Sequence, residues 1–205
     1  FLTLRDGTKV WINSGTEVRF PVNMEGKERS IYVDGEIYIE VAKDKERPFY
    51  VHTSGFDVRV YGTKFNVTSY KADKEKSVVL VEGSVSVCSK EETKEKEVKE
   101  IFLHPDQMYH TTNRGPMITH VNALQYITWK DGIWQFTSES LESIALRLSR
   151  YYGVDIHCDE KTAVKSCTGN LILFDDVDKT LRIIEEIFGV RYETNQNEII
   201  ISMNP

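Results

Sequence analysis

The apolar residues of this chain change their spacing once, and the change divides it. From Leu2 to about Val121 they alternate at period two in short runs: Ile31 and Val33, then Ile37, Ile39 and Val41; Phe56, Val58 and Val60; Val79 and Val81. After the tract ITWKDG, ending at Gly132, they fall at i, i+3, i+4 and i+7, as in Leu141, Ile144, Ala145 and Leu148. Alternation places every second side chain on one face of a strand, whereas the wider spacing makes a stripe along a helix. A chain that does one and then the other is expected to build an all-β domain followed by a small α+β domain.

In the first part the apolar runs are separated by turn residues: Asp34-Gly35, which reads as a hairpin signal, Gly62, and Glu82-Gly83. No window carries a helical stripe of useful length. The expectation for residues 1–121 is a sandwich or a solenoid-like stack of short antiparallel strands. Residues 122–205 contain a near-repeat. FTSESLESIALRLSRYYGVDI, Phe136 to Ile156, is followed by FDDVDKTLRIIEEIFGVRY, Phe174 to Tyr192, where Val177, Leu181, Ile184 and Phe188 form the stripe. Ser138 is expected to cap the first helix and Asp175 or Asp176 the second, with Gly153 and Gly189 as left-handed stops. Two copies are too few for a solenoid, so the unit reads as βαβ plus βαββ, two helices on one sheet of five short strands.

Few kinds of chemistry have a foothold. The formal charge is -6, and Lys and Arg are nowhere concentrated, which argues against a nucleic-acid surface. The densest charge run, Lys90 to Val98, mixes both signs and reads as a solvated hairpin tip. No apolar run approaches the ~20 residues of a membrane helix, and no signal peptide opens the chain. The start inside an apparent strand suggests that an upstream part has been removed. Histidines 52, 104, 110, 120 and 157 are scattered, with none at i+2 or i+4 from another, so no metal site is expected. Asp175, Asp176 and Asp178 lack the glycine and spacing of a calcium loop, and helix capping accounts for them. There is no nucleophile elbow, phosphate-binding loop or dinucleotide fingerprint, and no cofactor is expected.

Two sets of residues keep alternatives open. Trp11, Trp129 and Trp134, with ten tyrosines, could form a sugar-binding platform or could serve as core packing. Cys158 and Cys167 lie close in sequence within one domain, either as a disulfide or as two buried thiols, and Cys88 belongs to a strand of the other domain.

The motifs LRDGTKVWINSGTEVRFP, YVDGEIYIEVAKDKERPFYVHT, VRVYGTKFNVTSY and VVLVEGSVSV, in that order, resemble the periplasmic domain of FecR-type anti-sigma factors. WKDGIWQFTSESLESIALRLSRYYGVDI is similar to the extra C-terminal domain of the Bacteroides-like form, itself like the short N-terminal domain of secretins and TonB-dependent receptors. The resemblance implies a signalling protein. Its periplasmic region would receive a signal from the N-terminal signalling domain of an outer-membrane TonB-dependent transporter. An extracytoplasmic-function (ECF) sigma factor would be controlled through a cytoplasmic segment and one inner-membrane helix, both upstream of this sequence. A periplasmic setting would also permit the disulfide.

Further expectations follow from that resemblance. Residues 129–205 should carry most of the transporter contact. The terminal run Glu198, Ile199, Ile200, Ile201 and Ser202 is expected at or near a sheet edge, where it could extend a partner's sheet. Some family members cleave themselves at a Gly-Thr bond by an N-to-O acyl shift. The matching position is Gly62-Thr63, whose plainer reading is a glycine turn followed by a strand. A reading of another class is a periplasmic carbohydrate-recognition or envelope-scaffold module using exposed aromatics.

Overall fold

The computed structural model describes residues 1–90, 100–112, 115–195 and 198–203. The charge run expected as a hairpin tip falls almost wholly outside the described residues. The chain divides into two compact units, Phe1–Lys130 and Asp131–Pro205.

The first unit carries twelve strands: β1 Leu2–Thr3, β2 Lys9–Ile12, β3 Glu17–Arg19, β4 Arg29–Glu40, β5 Phe49–His52, β6 Phe56–Val60, β7 Lys64–Ser69, β8 Ser77–Glu82, β9 Val85–Ser89, β10 Glu100–Leu103, β11 Gln107–Thr112 and β12 Gly115–His120. They form one hydrogen-bonded network in the order β10-β9-β6-β5-β4-β7-β8-β11-β12, with β2 and β3 also on β4 and β1 on β2. The long β4 belongs to both halves. Its start pairs with β3 and, in parallel, with β5, while Gly35 to Glu40 pair with β7 and the end of that stretch with β2. The sheet thereby curls over its own apolar face. Phe56 of β6 meets Tyr109 of β11 edge-on at 5.5 Å, and Ile31, Ile37, Phe49, Phe65, Leu80 and Val87 are fully buried in the core they share. The all-β expectation holds, with a sandwich-like curl as its form.

Asp34-Gly35 is not a hairpin turn. It lies inside β4, at the place where the strand passes from one half of the sheet to the other. Gly35 has φ 140°, and the Thr16 hydroxyl bridges the backbone beside it, accepting from Glu36 N at 2.9 Å and donating to Glu36 O at 3.2 Å. A Cβ at residue 35 would stand 2.3 Å from Thr16 Oγ1, so glycine is required for conformation and for space. The dipeptide signals an unusual backbone in either setting, which is why it reads as a turn.

A buried ion pair fastens the start of the unit. Arg29 donates to Asp6 Oδ2 at 2.8 Å, to the Ala42 carbonyl at 2.9 Å and to the Arg47 carbonyl at 2.9 Å, and its guanidinium lies over Phe49. The unit also runs past the boundary expected at residue 121. A 3-10 segment, Ala123–Asp131, is tied back to it by Ala123 N donating to Asp106 Oδ1 at 3.1 Å and Trp129 Nε1 donating to Asn66 Oδ1 at 3.2 Å.

The second unit contains β13 Ile133–Ser140, α1 Leu141–Tyr152, β14 Asp155–Cys158, α2 Glu160–Ala163, β15 Ser166–Ile172, α3 Val177–Phe188, β16 Val190–Asn195 and β17 Glu198–Met203. The order βαβ plus βαββ is as expected, with the short α2 added. The five strands, however, form two sheets: β13 with β15, and β14-β17-β16. The first strands of the two copies pair with each other, and the second strands each pair with β17. Helix α1 packs against β13 of one sheet and β14 of the other, so its buried stripe of Leu141, Ile144, Ala145 and Leu148 serves both. A stripe records that a helix face is covered, without recording by how many sheets.

The helix ends follow their sequence signals with one change. Gly153 (φ 66°) and Gly189 (φ 61°) close α1 and α3 in the left-handed conformation, and Asp176 caps α3 by accepting from Asp178 N at 3.0 Å. The cap of α1 is Ser140, accepting from Ser143 N at 3.2 Å, rather than Ser138. Ser138 stands at φ 50° where the β13–β15 register shifts between Phe136 and Glu139, so the strand runs on through a bulge.

Candidate functional site

The terminal strand β17 is built to be the middle of its sheet. Asp155 to Cys158 pair with Glu198 to Ile201 in parallel on one side, and Val190 to Asn195 pair with Met203 to Glu198 antiparallel on the other. Ile199 and Ile201 are buried, while Glu198, Ile200 and Ser202 face outward and are only partly covered. Residues 198–202, expected at or near an edge, are thus not the edge itself but the strand next to both edges. An apolar strand at a chain's end carries no record of pairing order, and β14, far away in sequence, supplies the parallel neighbour.

Among the described residues of the second unit, the unpaired sides belong to β14 and β16 of the three-stranded sheet and to β13 and β15 of the two-stranded one. Of these, the two-stranded sheet also presents apolar side chains. Ile133 and Ile172 are register partners and both exposed, Ile172 to 60%, and Phe174 just beyond β15 is exposed as well. Strand edges with apolar anchors beside them are what an added strand from a partner needs.

On the outward face of the other sheet three chemically different groups converge. Asp155 and His157 alternate on β14, and Glu198 is opposite Asp155 on β17. His157 Nε2 is 3.1 Å from Glu198 Oε1, His157 Nδ1 is 3.7 Å from Asp155 Oδ1, and one donor atom from each of the three lies within 4.8 Å of the others. A search for paired histidines misses this set. The sequence signal is Asp-x-His on one strand, which becomes meaningful only when the register brings Glu198 beside it.

Gly62-Thr63 occupies the passage from β6 to β7. Gly62 stands at φ 144°, and a Cβ there would be 2.9 Å from the Lys43 Cα. Thr63 is buried, and its hydroxyl donates to the Ser84 carbonyl at 2.9 Å. A backbone carbonyl can hold that hydroxyl but cannot take its proton, which the acyl shift requires.

All three cysteines are free thiols in this structure. Cys158 is on β14 of the three-stranded sheet and Cys167 on β15 of the two-stranded sheet, and α1 packs on both sheets. Burial, helped by Asp159 and Glu142, pushes the Cys158 thiol up to about 11.

The tryptophans form no open platform. Trp134 is buried beneath Arg147 and against Tyr151, Trp129 is engaged with Asn66, and Trp11 lies between Phe1 and Tyr38. The exposed Tyr32 stacks on His52 at 4.9 Å, and Tyr50 stacks on His52 at 5.8 Å. Rings that cover each other's faces leave those faces unavailable to a sugar ring.

Comparison with known proteins agrees with this architecture. The pattern described as FecR protein matches residues 2–86, and that described as FecR, C-terminal matches residues 133–201. No curated protein matches the chain. Two crystal structures of a candidate anti-sigma factor from Parabacteroides distasonis ATCC 8503 are similar over 100% of this chain, each at 26% identity. One has a TM-score of 0.87 over 94% of that protein's chain, the other 0.86 over 93%. With both family patterns in order along it and a solved anti-sigma-factor fold matched from end to end, the chain belongs to the FecR family of anti-sigma factors.

Proposed function

We propose that this chain is the periplasmic sensor and relay region of a transmembrane anti-sigma factor, and that its second unit receives the N-terminal signalling domain of an outer-membrane TonB-dependent transporter. Family membership supports a regulatory role and a sigma-factor partner. In the proposal that partner is an ECF sigma factor, held by a cytoplasmic segment beyond this sequence. No helix among the described residues is long and apolar enough to cross a membrane, so the anchoring helix would lie beyond it too.

The observation that carries the reading is the two-stranded sheet. Its strands have unpaired sides and its outward residues Ile133 and Ile172 are apolar, so backbone pairing with a few apolar anchors is the fitting mode of contact. This moves the receiving surface from β17, whose backbone is used on both sides, to β13 and β15. The carbohydrate-recognition reading gains nothing from the three tryptophans, which are buried or engaged with neighbours, or from Tyr32 and Tyr50, which stack on His52.

Calorimetry of the 205-residue chain with the cognate signalling domain tests the proposal. Binding should depend only moderately on salt, since the proposed contact rests on backbone pairing and a few apolar anchors. Ile172→Lys or Ile133→Lys should weaken it by about tenfold or more, while Leu146→Lys on α1 should leave it unchanged. Equal affinity in all three variants would refute the assigned surface.

A further inference from the structure

We propose that Asp155, His157 and Glu198 form a binding site for a divalent transition-metal ion on the outward face of the three-stranded sheet. The positions suit the task. Residues i and i+2 of a strand point to the same side, and the residue opposite on the neighbouring strand has its Cβ about 5 Å away. β14 supplies the first two and β17 the third, on a rigid parallel pair rather than on loops.

The distances agree. Two donors held 2.0–2.1 Å from one tetrahedral ion stand about 3.3 Å apart. His157 Nε2 and Glu198 Oε1 are 3.1 Å apart, already near that separation, and Asp155 is within 4.8 Å and free to turn, its side chain being 75% exposed. One imidazole and two carboxylates are a donor set for zinc and its neighbours, not for calcium, which takes six to eight oxygens. The two carboxylates neutralise the ion's charge.

A second observation points the same way. Asp155 and Glu198 are direct cross-strand partners, and like charges opposite one another destabilise a sheet. A cation between them removes that repulsion and joins the four-residue β14, an edge strand, to the centre of its sheet. Three protein donors leave a further coordination position open to water.

Zinc chloride titrated calorimetrically into the whole chain at pH 7.5, in a non-chelating buffer, is the direct test. One saturable site per chain is expected, with dissociation in the micromolar range. His157→Ala and, separately, the nearly isosteric Glu198→Gln should each weaken it by at least tenfold. All three residues are solvent-accessible, so both variants should retain the wild-type circular dichroism spectrum. Saturating zinc should raise the unfolding midpoint of the wild-type chain, and of neither variant. Absence of binding, or binding unchanged in both variants, would overturn the proposal and leave the three residues as a histidine between two carboxylates.

Discussion

The peptide bond between Gly62 and Thr63 sits where a side chain is excluded and where the following hydroxyl is already committed to the Ser84 carbonyl. Its glycine is required by the fold. Gly62→Ala must place a Cβ 2.9 Å from the Lys43 Cα at φ 144°, and a loss of about 2 kcal/mol or more is expected in denaturant unfolding. Self-cleavage needs a base that the Ser84 carbonyl does not provide. The wild-type chain should therefore run as a single 23.7 kDa band after long incubation, and two fragments that Thr63→Ala restores to one would show that the corner is chemically active. Cys158 makes a second residue-scale prediction. With its thiol pushed up to about 11, its alkylation in the folded protein should be slow at pH 8 and rise about tenfold per pH unit towards that value. The folded state holds the proton that the unfolded state releases from about pH 9, so stability should fall between about pH 9 and 11. Without reductant, all three cysteines should be alkylated after unfolding; only one modified would mean that a bridge forms.

Among the elements, strand β17 and the helix caps show which sequence signals carry structural information. A cap is a local contact, so Ser140→Ala and Asp176→Ala should each cost about 1 kcal/mol. Pairing order is not local. Placing proline at Ile200 would break the centre of the three-stranded sheet, so Ile200→Pro should unfold the second unit, seen as lost helical circular dichroism, and not block a partner selectively. The change of apolar period, the two stripes and the glycine stops were legible because each depends on neighbours within a turn or two of the chain. The division into two sheets, the Ser140 cap behind a bulge and the passage at Gly35 were not, because each is set by a partner remote in sequence. The converging Asp155, His157 and Glu198 belong to the same group: their types are visible, and their register is not.

Over the whole molecule, the chain forms a curled β unit and a small α/β unit, and in the second the two-stranded sheet combines unpaired strand sides with the exposed Ile133 and Ile172. The first has a stake of a different kind in its buried ion pair. Removing one partner, as in Arg29→Ala, leaves Asp6 buried without its counter-charge and should cost about 3–5 kcal/mol, destabilising the β unit without touching the proposed receiving sheet. That separation lets the proposed receiving surface be tested by location. Hydrogen exchange of the 205-residue chain, alone and saturated with the transporter's signalling domain, reads the interface amide by amide. Slowed exchange is expected to concentrate in Ile133 to Ser140 and Ser166 to Phe174, with β17 already protected in the free chain and unchanged. Protection confined to residues 1–130 would contradict it.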